Sequence, residues 1–146
     1  MSSPSGGVRM SSPGVGSGVS DGPAQAVRDL SAAFAARDLN AALACFAPGD
    51  DVGYAGSERA ETAVGRVALT ALLGDVFLRP EAYTWQVRET TVHIDGSRAY
   101  VFAEADGVAR ADAGGEENFP YRVSGLVEQV GGRWLWRHCQ GSEPSA

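Results

Sequence analysis

The chain contains no lysine: all twelve of its basic residues are arginine, and they face eighteen acidic ones for a net charge of −6. A field of that sign repels polyanions, so neither nucleic acid nor an anionic membrane surface is expected as a partner. Cysteine is nearly as scarce. Cys45 and Cys139 stand far apart and outside any CxxC or Cys/His cluster, which argues against zinc and dithiol redox chemistry and for two free thiols. The two histidines, His93 and His138, have no acidic residue three or four positions beyond them, so no metal site is expected. No apolar run reaches the ~20 residues that cross a bilayer, and residues 1–22 lack the continuous hydrophobic stretch of a secretory signal. A cytoplasmic location is the resulting expectation. A glycine-rich phosphate loop is missing too, because Gly131-Gly132 joins two strand patterns instead of opening a helix. Any chemistry is therefore expected to run without a cofactor.

What is present suits one core: 146 residues with 44% hydrophobic content. Residues 1–22 are Ser, Gly and Pro with scattered valines, too few apolar groups to offset the entropy of ordering, and read as a disordered tail before a single domain over 23–146. Val27, Leu30 and Phe34 recur at helical spacing between Pro23 and Arg37. Asp38 suits the cap of a second short helix carrying Leu39, Leu43 and Phe46, closed by Pro48-Gly49. Leu69, Leu72, Leu73, Val76 and Phe77 mark a third helix that ends before Pro80.

Beyond Pro80 the pattern turns to period-two alternation of β-branched and aromatic residues, broken at Asp95-Gly96-Ser97, at Asp112 to Gly115 and at Gly131-Gly132. Four strands fit, over about 82–95, 98–110, 116–130 and 133–142. Flat strands of that length would span roughly 40 Å at ~3.3 Å per residue, so a bent sheet is predicted, with Gly107 and Gly125 as bending points. The fold class expected is α+β, with three N-terminal helices packed on a strongly curved antiparallel sheet that forms a conical pocket for a small molecule.

The runs Ala35-Ala36-Arg37-Asp38-Leu39-Asn40-Ala41-Ala42-Leu43, Val64-Gly65-Arg66 and Asp95-Gly96-Ser97-Arg98-Ala99, with Gly132-Arg133-Trp134-Leu135-Trp136-Arg137-His138 through Ser142, follow one another in this order. Together they resemble the SnoaL-like branch of the nuclear transport factor 2-like superfamily, from about residue 23 to the end. The resemblance implies a cystatin-like α+β fold and a pocket. Members act as cyclases, isomerases, epoxide hydrolases or dehydratases, while others bind ligands or assemble kinase complexes, so the fold leaves the chemistry undecided. Many relatives end in His-x-His-x-Ser. Here His138, Gln140 and Ser142 hold those places, and the glutamine removes one titratable group.

On the last strand Trp134, Trp136, His138, Gln140 and Ser142 alternate with Leu135, Arg137 and Cys139. With the even face inward, His138 would serve as general acid or base, Gln140 would orient a substrate oxygen and Trp136 would line the pocket. With that face outward, His138 bonds within the sheet or a dimer seam and the tryptophans pack. Its strand neighbours depend on register: a two-residue turn at Gly131-Gly132 sets Val127, Gly125 and Val123 beside it, a bulged three-residue turn Glu128, Leu126, Ser124 and Arg122. The resemblance favours a polar lining residue near Arg122. Tyr54 and Trp85 read as rim or wall residues, or as core. Val92, Ile94, Ala99, Val101 and Ala103 group as core, with His93, Tyr100, Phe102 and Glu104 on the opposite face, the dimer surface of many relatives.

The expected function is a small-molecule pocket protein for an apolar, oxygenated molecule. It is either a cofactor-independent isomerase, cyclase or hydrolase using His138, with Tyr54, Trp85, Arg122, Ser124, Trp136 and Gln140 binding substrate, or a non-catalytic ligand-binding or dimerisation module. A homodimer through the sheet is the expected assembly; a structural protein using Tyr100, Phe102 and Cys139 as contacts is a third reading.

Overall fold

The computed structural model describes residues 7–11 and 22–145. After strand β1 (Gly7–Ser11) and a 3-10 turn at Gly22–Ala24 come helices α1 (Gln25–Ala36) and α2 (Leu39–Ala44), short strands β2 (Gly53–Ala55) and β3 (Thr62–Val64), and helix α3 (Arg66–Phe77). Four long strands follow: β4 (Glu81–Asp95), β5 (Arg98–Ala111), β6 (Glu116–Val130) and β7 (Arg133–Ser142). Of the tail expected to be disordered, residues 1–6 and 12–21 lie outside the described residues, while Gly7–Ser11 pair with β4.

Each helix end has a local cause. Arg37 ends α1 in the left-handed region, at φ 50°, and its N–H returns to Ala33 and Phe34. An arginine tolerates that geometry here because its guanidinium binds the Arg79 carbonyl at 3.0 Å and the Asp112 carboxylate. Asp38 caps α2 by accepting from the Ala41 N–H at 3.1 Å. The cap of α3 comes from farther away: Gly65 turns at φ 90°, and the Asp50 carboxylate accepts from the Arg66 N–H at 2.8 Å.

Helix α1 lies across the sheet with Val27, Leu30 and Phe34 buried, and Leu69, Leu73 and Val76 of α3 complete the helical side of the core. Fully burying one such side chain contributes ~1.5–3 kcal/mol. Two indoles fix the helix to the strands, Trp85 donating to the Val27 carbonyl at 3.2 Å and Trp136 to that of Ala26 at 3.1 Å. Ser31 adds a third tie. Its hydroxyl donates to the Trp85 carbonyl at 2.7 Å and accepts from the Trp85 N–H at 3.0 Å, so both backbone polar groups of this buried residue are engaged.

The strongly curved antiparallel sheet enclosing a conical pocket does not form. Seven strands stand in one line, β1-β4-β5-β6-β7-β2-β3, with β1 and β3 at opposite edges, so the sheet is open. The chain adds strands at both ends instead of rolling the long ones up, and β2 joins β7 in parallel, through Gly53↔His138 to Ala55↔Gln140. Strand length is relieved by register shifts at Val87/Glu89 and at Leu126/Val127. At Gly107 β5 and β6 pair without interruption, and the absent side chain leaves room for the Phe119 ring, which a Cβ there would approach to 2.3 Å. Ile94, expected in the core, is 48% exposed near the end of β4, where no helix covers it.

The shift near Gly125 decides which face each residue of β7 takes. Val130↔Arg133 shows a two-residue turn, but Trp136 pairs with Val127 and His138 with Leu126, leaving Arg137 as an extra residue. Arg137 is held there by Glu128 at 2.6 Å and by the Pro48 and Asp51 carbonyls at 2.9 and 3.1 Å. Trp136 therefore points into the core, Cys139 and Gly141 follow it inward, and His138 and Gln140 turn outward to solvent. Opposite, Gly125 adopts φ 150°, and a Cβ there would lie 1.9 Å from the His138 carbonyl oxygen. Gly125→Ala is accordingly expected to cost about 3 kcal/mol or more, read as a lowered urea midpoint; a loss under about 0.5 kcal/mol would show that β7 does not need this bulge.

Candidate functional site

A cavity of about 240 Å³ opens at the end of the sheet where β4 and β6 begin and β5 and β7 finish. Phe34 of α1, Tyr54 of β2, Val76 of α3 and Trp85 of β4 form its buried part. Tyr83, Phe119 and Tyr121 wall it on the strand side. The β2–β3 loop supplies Ser57, Glu58 and Glu61, and Arg79, Glu81, Glu117 and Glu143 complete the lining with Thr84 and Ala109.

Aromatic packing sets the chamber's shape. Phe34 meets Trp85 at 5.2 Å between ring centroids, Trp85 meets Tyr121 at 5.6 Å, and Tyr121 meets Phe119 edge-on at 5.8 Å. Missing side chains make room for the polar groups. A Cβ on Gly141 would lie 1.9 Å from the Tyr121 hydroxyl, and one on Gly56 would lie 2.3 Å from Glu61 Oε1.

Glu61 is only 9% exposed, and both of its oxygens are engaged. Oε1 accepts from the Glu58 N–H at 3.2 Å, and Oε2 accepts from Arg79 Nη1 at 3.0 Å. Arg79 also reaches Glu58 at 3.6 Å. Tyr54 and Tyr121 line the same chamber. Burial pushes both phenols above their ordinary value of 10.0, and the nearby Glu61 charge adds to the effect. Both therefore remain protonated near neutrality, as hydroxyl donors beside a carboxylate.

The cavity brings together Tyr54 and Trp85 of the residues proposed from sequence and leaves the others outside it. Trp136 is wholly buried in the core. His138 and Gln140 are exposed on the opposite face of the sheet, where Ser124 pairs with Gln140 in register. Arg122 bonds Glu104 at 3.2 Å, each side chain 44% exposed. The β7 bulge is the cause for His138 and Gln140, since it reverses the alternation after Trp136. Tyr121 and Phe119 were within reach of sequence reasoning, as they share alternation with the core residues Val123 and Val127. Glu61 and Arg79 sit between regular elements and carry no periodic signal. Among the described residues no His, Cys, Asp and Glu side chains cluster in a group able to hold a metal ion, and no helix is long and apolar enough to cross a membrane.

Residues 24–146 match the family model of the SnoaL-like domain. Solved structures of similar shape include a candidate dehydratase of the NTF2-like family from Streptomyces avermitilis, at 12% identity over 84% of this chain and 94% of that one, with a TM-score of 0.73. An NTF2-like protein of unknown function from Pseudomonas putida shares 20% identity over 84% of each chain, with a TM-score of 0.67. A candidate calcium/calmodulin-dependent protein kinase type II association domain from Thiobacillus denitrificans also shares 20%, over 84% of this chain and 95% of that one, with a TM-score of 0.67. A search of curated proteins finds no match.

The buried phenols and thiols make stability fall at high pH. Tyr54 and Tyr121 have raised values in the fold, so their contribution is complete below about pH 10 and is withdrawn above it, where the unfolded chain ionises first. Cys45, pushed by burial from 9.0 up to about 11, withdraws its share between those two values. The urea midpoint is expected to decline steadily from pH 9 to pH 11, by up to about 1.4 kcal/mol per pH unit for each group titrating only in the unfolded chain; a flat profile to pH 11 would contradict this burial.

Proposed function

The chain belongs to the SnoaL-like domain family, and on that premise we propose that its cavity binds a small, apolar, oxygen-bearing molecule and moves a proton on it using the chain's own side chains. The observation that carries the proposal is the buried Glu61 carboxylate in one chamber with two phenols held protonated. The Tyr54 and Tyr121 hydroxyls donate hydrogen bonds to a substrate carbonyl oxygen. Glu61 takes the proton from the neighbouring carbon: the C–H bond breaks, its electron pair moves toward the carbonyl oxygen, and a carboxylic acid forms. Returning the proton at another carbon isomerises the substrate. Where a β-hydroxyl is present, its C–O bond breaks instead and the Glu61 proton leaves with it as water. The candidate dehydratase of similar fold supports this reaction class by analogy of fold.

A second reading, a ligand-binding module without catalysis, is favoured by the Arg79 contact, which ties one Glu61 oxygen into an ion pair. Hydrogen–deuterium exchange separates the two. A panel of small ketones incubated with the protein in D2O should show enzyme-dependent exchange at the carbon beside the carbonyl, read by NMR. Glu61→Gln should lower the rate by about 100-fold or more and Tyr121→Phe by at least roughly tenfold, while His138→Ala leaves it unchanged. Saturable binding without exchange would favour the module, and exchange that depends on His138 would overturn the assignment to Glu61. The proposal includes a homodimer through the outer sheet face, where Tyr100 is 49% exposed. Sedimentation should show dimers at high micromolar concentration; a strict monomer would remove this part.

A further inference from the structure

We infer that the ligand of this cavity carries a protonated amine at the end nearest the mouth. The inference rests on reading the cavity as a ligand site and adds the class of ligand. Five carboxylates line the chamber, from Glu58, Glu61, Glu81, Glu117 and Glu143, against the single guanidinium of Arg79. That guanidinium is already committed to Glu61 at 3.0 Å and Glu58 at 3.6 Å. Among the described residues Glu117 and Glu143 form no ion pair, and Glu81 meets only the field of Arg37, whose guanidinium is paired with Asp112. Glu81 accepts from the Tyr83 hydroxyl at 3.1 Å and Glu143 from the Ser57 hydroxyl at 3.2 Å, both neutral donors that leave the charges standing.

Two effects then act together. An excess of carboxylates over cations around a low-dielectric hollow focuses a negative potential into it, repelling anionic ligands and drawing in cations. Beneath them lie the rings of Trp85, Tyr121 and Phe119, whose π faces attract a cation and whose surface packs the apolar body attached to it. A small molecule with an aromatic or alicyclic body and an ammonium group satisfies both. A carboxylate or phosphate of the same size satisfies neither. The chain's net charge of −6 acts in the same direction at longer range.

Three probes of one shape test this on the intact chain: naphthylmethylamine, naphthylmethanol and naphthoate, each titrated while the Trp85 indole resonance is followed. The amine should bind at least roughly tenfold more tightly than the alcohol, on the scale of one desolvated cation–π contact, and naphthoate most weakly. The amine's advantage should shrink with added salt and in a Glu117→Gln, Glu143→Gln double variant. Alcohol or naphthoate binding as tightly as the amine would overturn the inference and leave the ligand-site reading intact. Binding by none of the three would remove both.

Discussion

The fold and its cavity depend on one extra residue in the last strand. Arg137 interrupts the alternation of β7, and the strand changes face between Trp136 and His138. Before the interruption, the Trp136 indole enters the core and donates to helix α1. After it, Cys139 and Gly141 face inward, and Gly141 leaves the space that the Tyr121 hydroxyl occupies. An uninterrupted strand carrying Trp136 inward would send Gln140 toward the chamber and crowd out that phenol. Gly125 is the counterpart on β6, because only a residue without a side chain lets the His138 carbonyl come so close.

The cavity is built where regular structure runs out. Strand ends supply aromatic walls, while the β2–β3 loop and the segment after α3 supply Glu61 and Arg79, joined at 3.0 Å. That ion pair holds the loop against the body of the domain. Its strength comes from geometry more than from charge, since Arg79 also touches Glu58 and the Glu61 carboxylate takes a backbone N–H. A fixed, nearly buried carboxylate next to protonated phenols is an arrangement able to move protons, and the same fixed geometry also suits plain recognition.

Much of this architecture could be read from periodicity. Helices α1 to α3 and the four long strands lie where 3.6- and 2-residue patterns placed them, because each buries a continuous apolar face. Tyr54 and Trp85, read as wall residues or as core, are buried side chains that line the cavity. The strong curvature inferred from strand length failed, since length was relieved by two register shifts and the short strands β2 and β3 extended the sheet sideways. Of the two orientations open to His138, the outward one occurs, because Arg137 breaks the alternation after Trp136. Nothing local marks Arg137 as a bulge; its partners Glu128, Pro48 and Asp51 lie in other parts of the chain. Glu61 and Arg79 escaped for a related reason, as their meeting is a tertiary event between two loops.

The central claim is that recognition happens in the chamber of Tyr54, Trp85 and Tyr121 and not on the sheet face that carries His138. A fragment library titrated into isotope-labelled protein, with backbone and side-chain shifts mapped onto the structure, tests it most directly. The account predicts shifts concentrated at the Trp85 indole, Tyr121 and Glu61, with His138 and Gln140 unmoved. Shifts centred on His138 and Arg122, with the Trp85 indole silent, would contradict it.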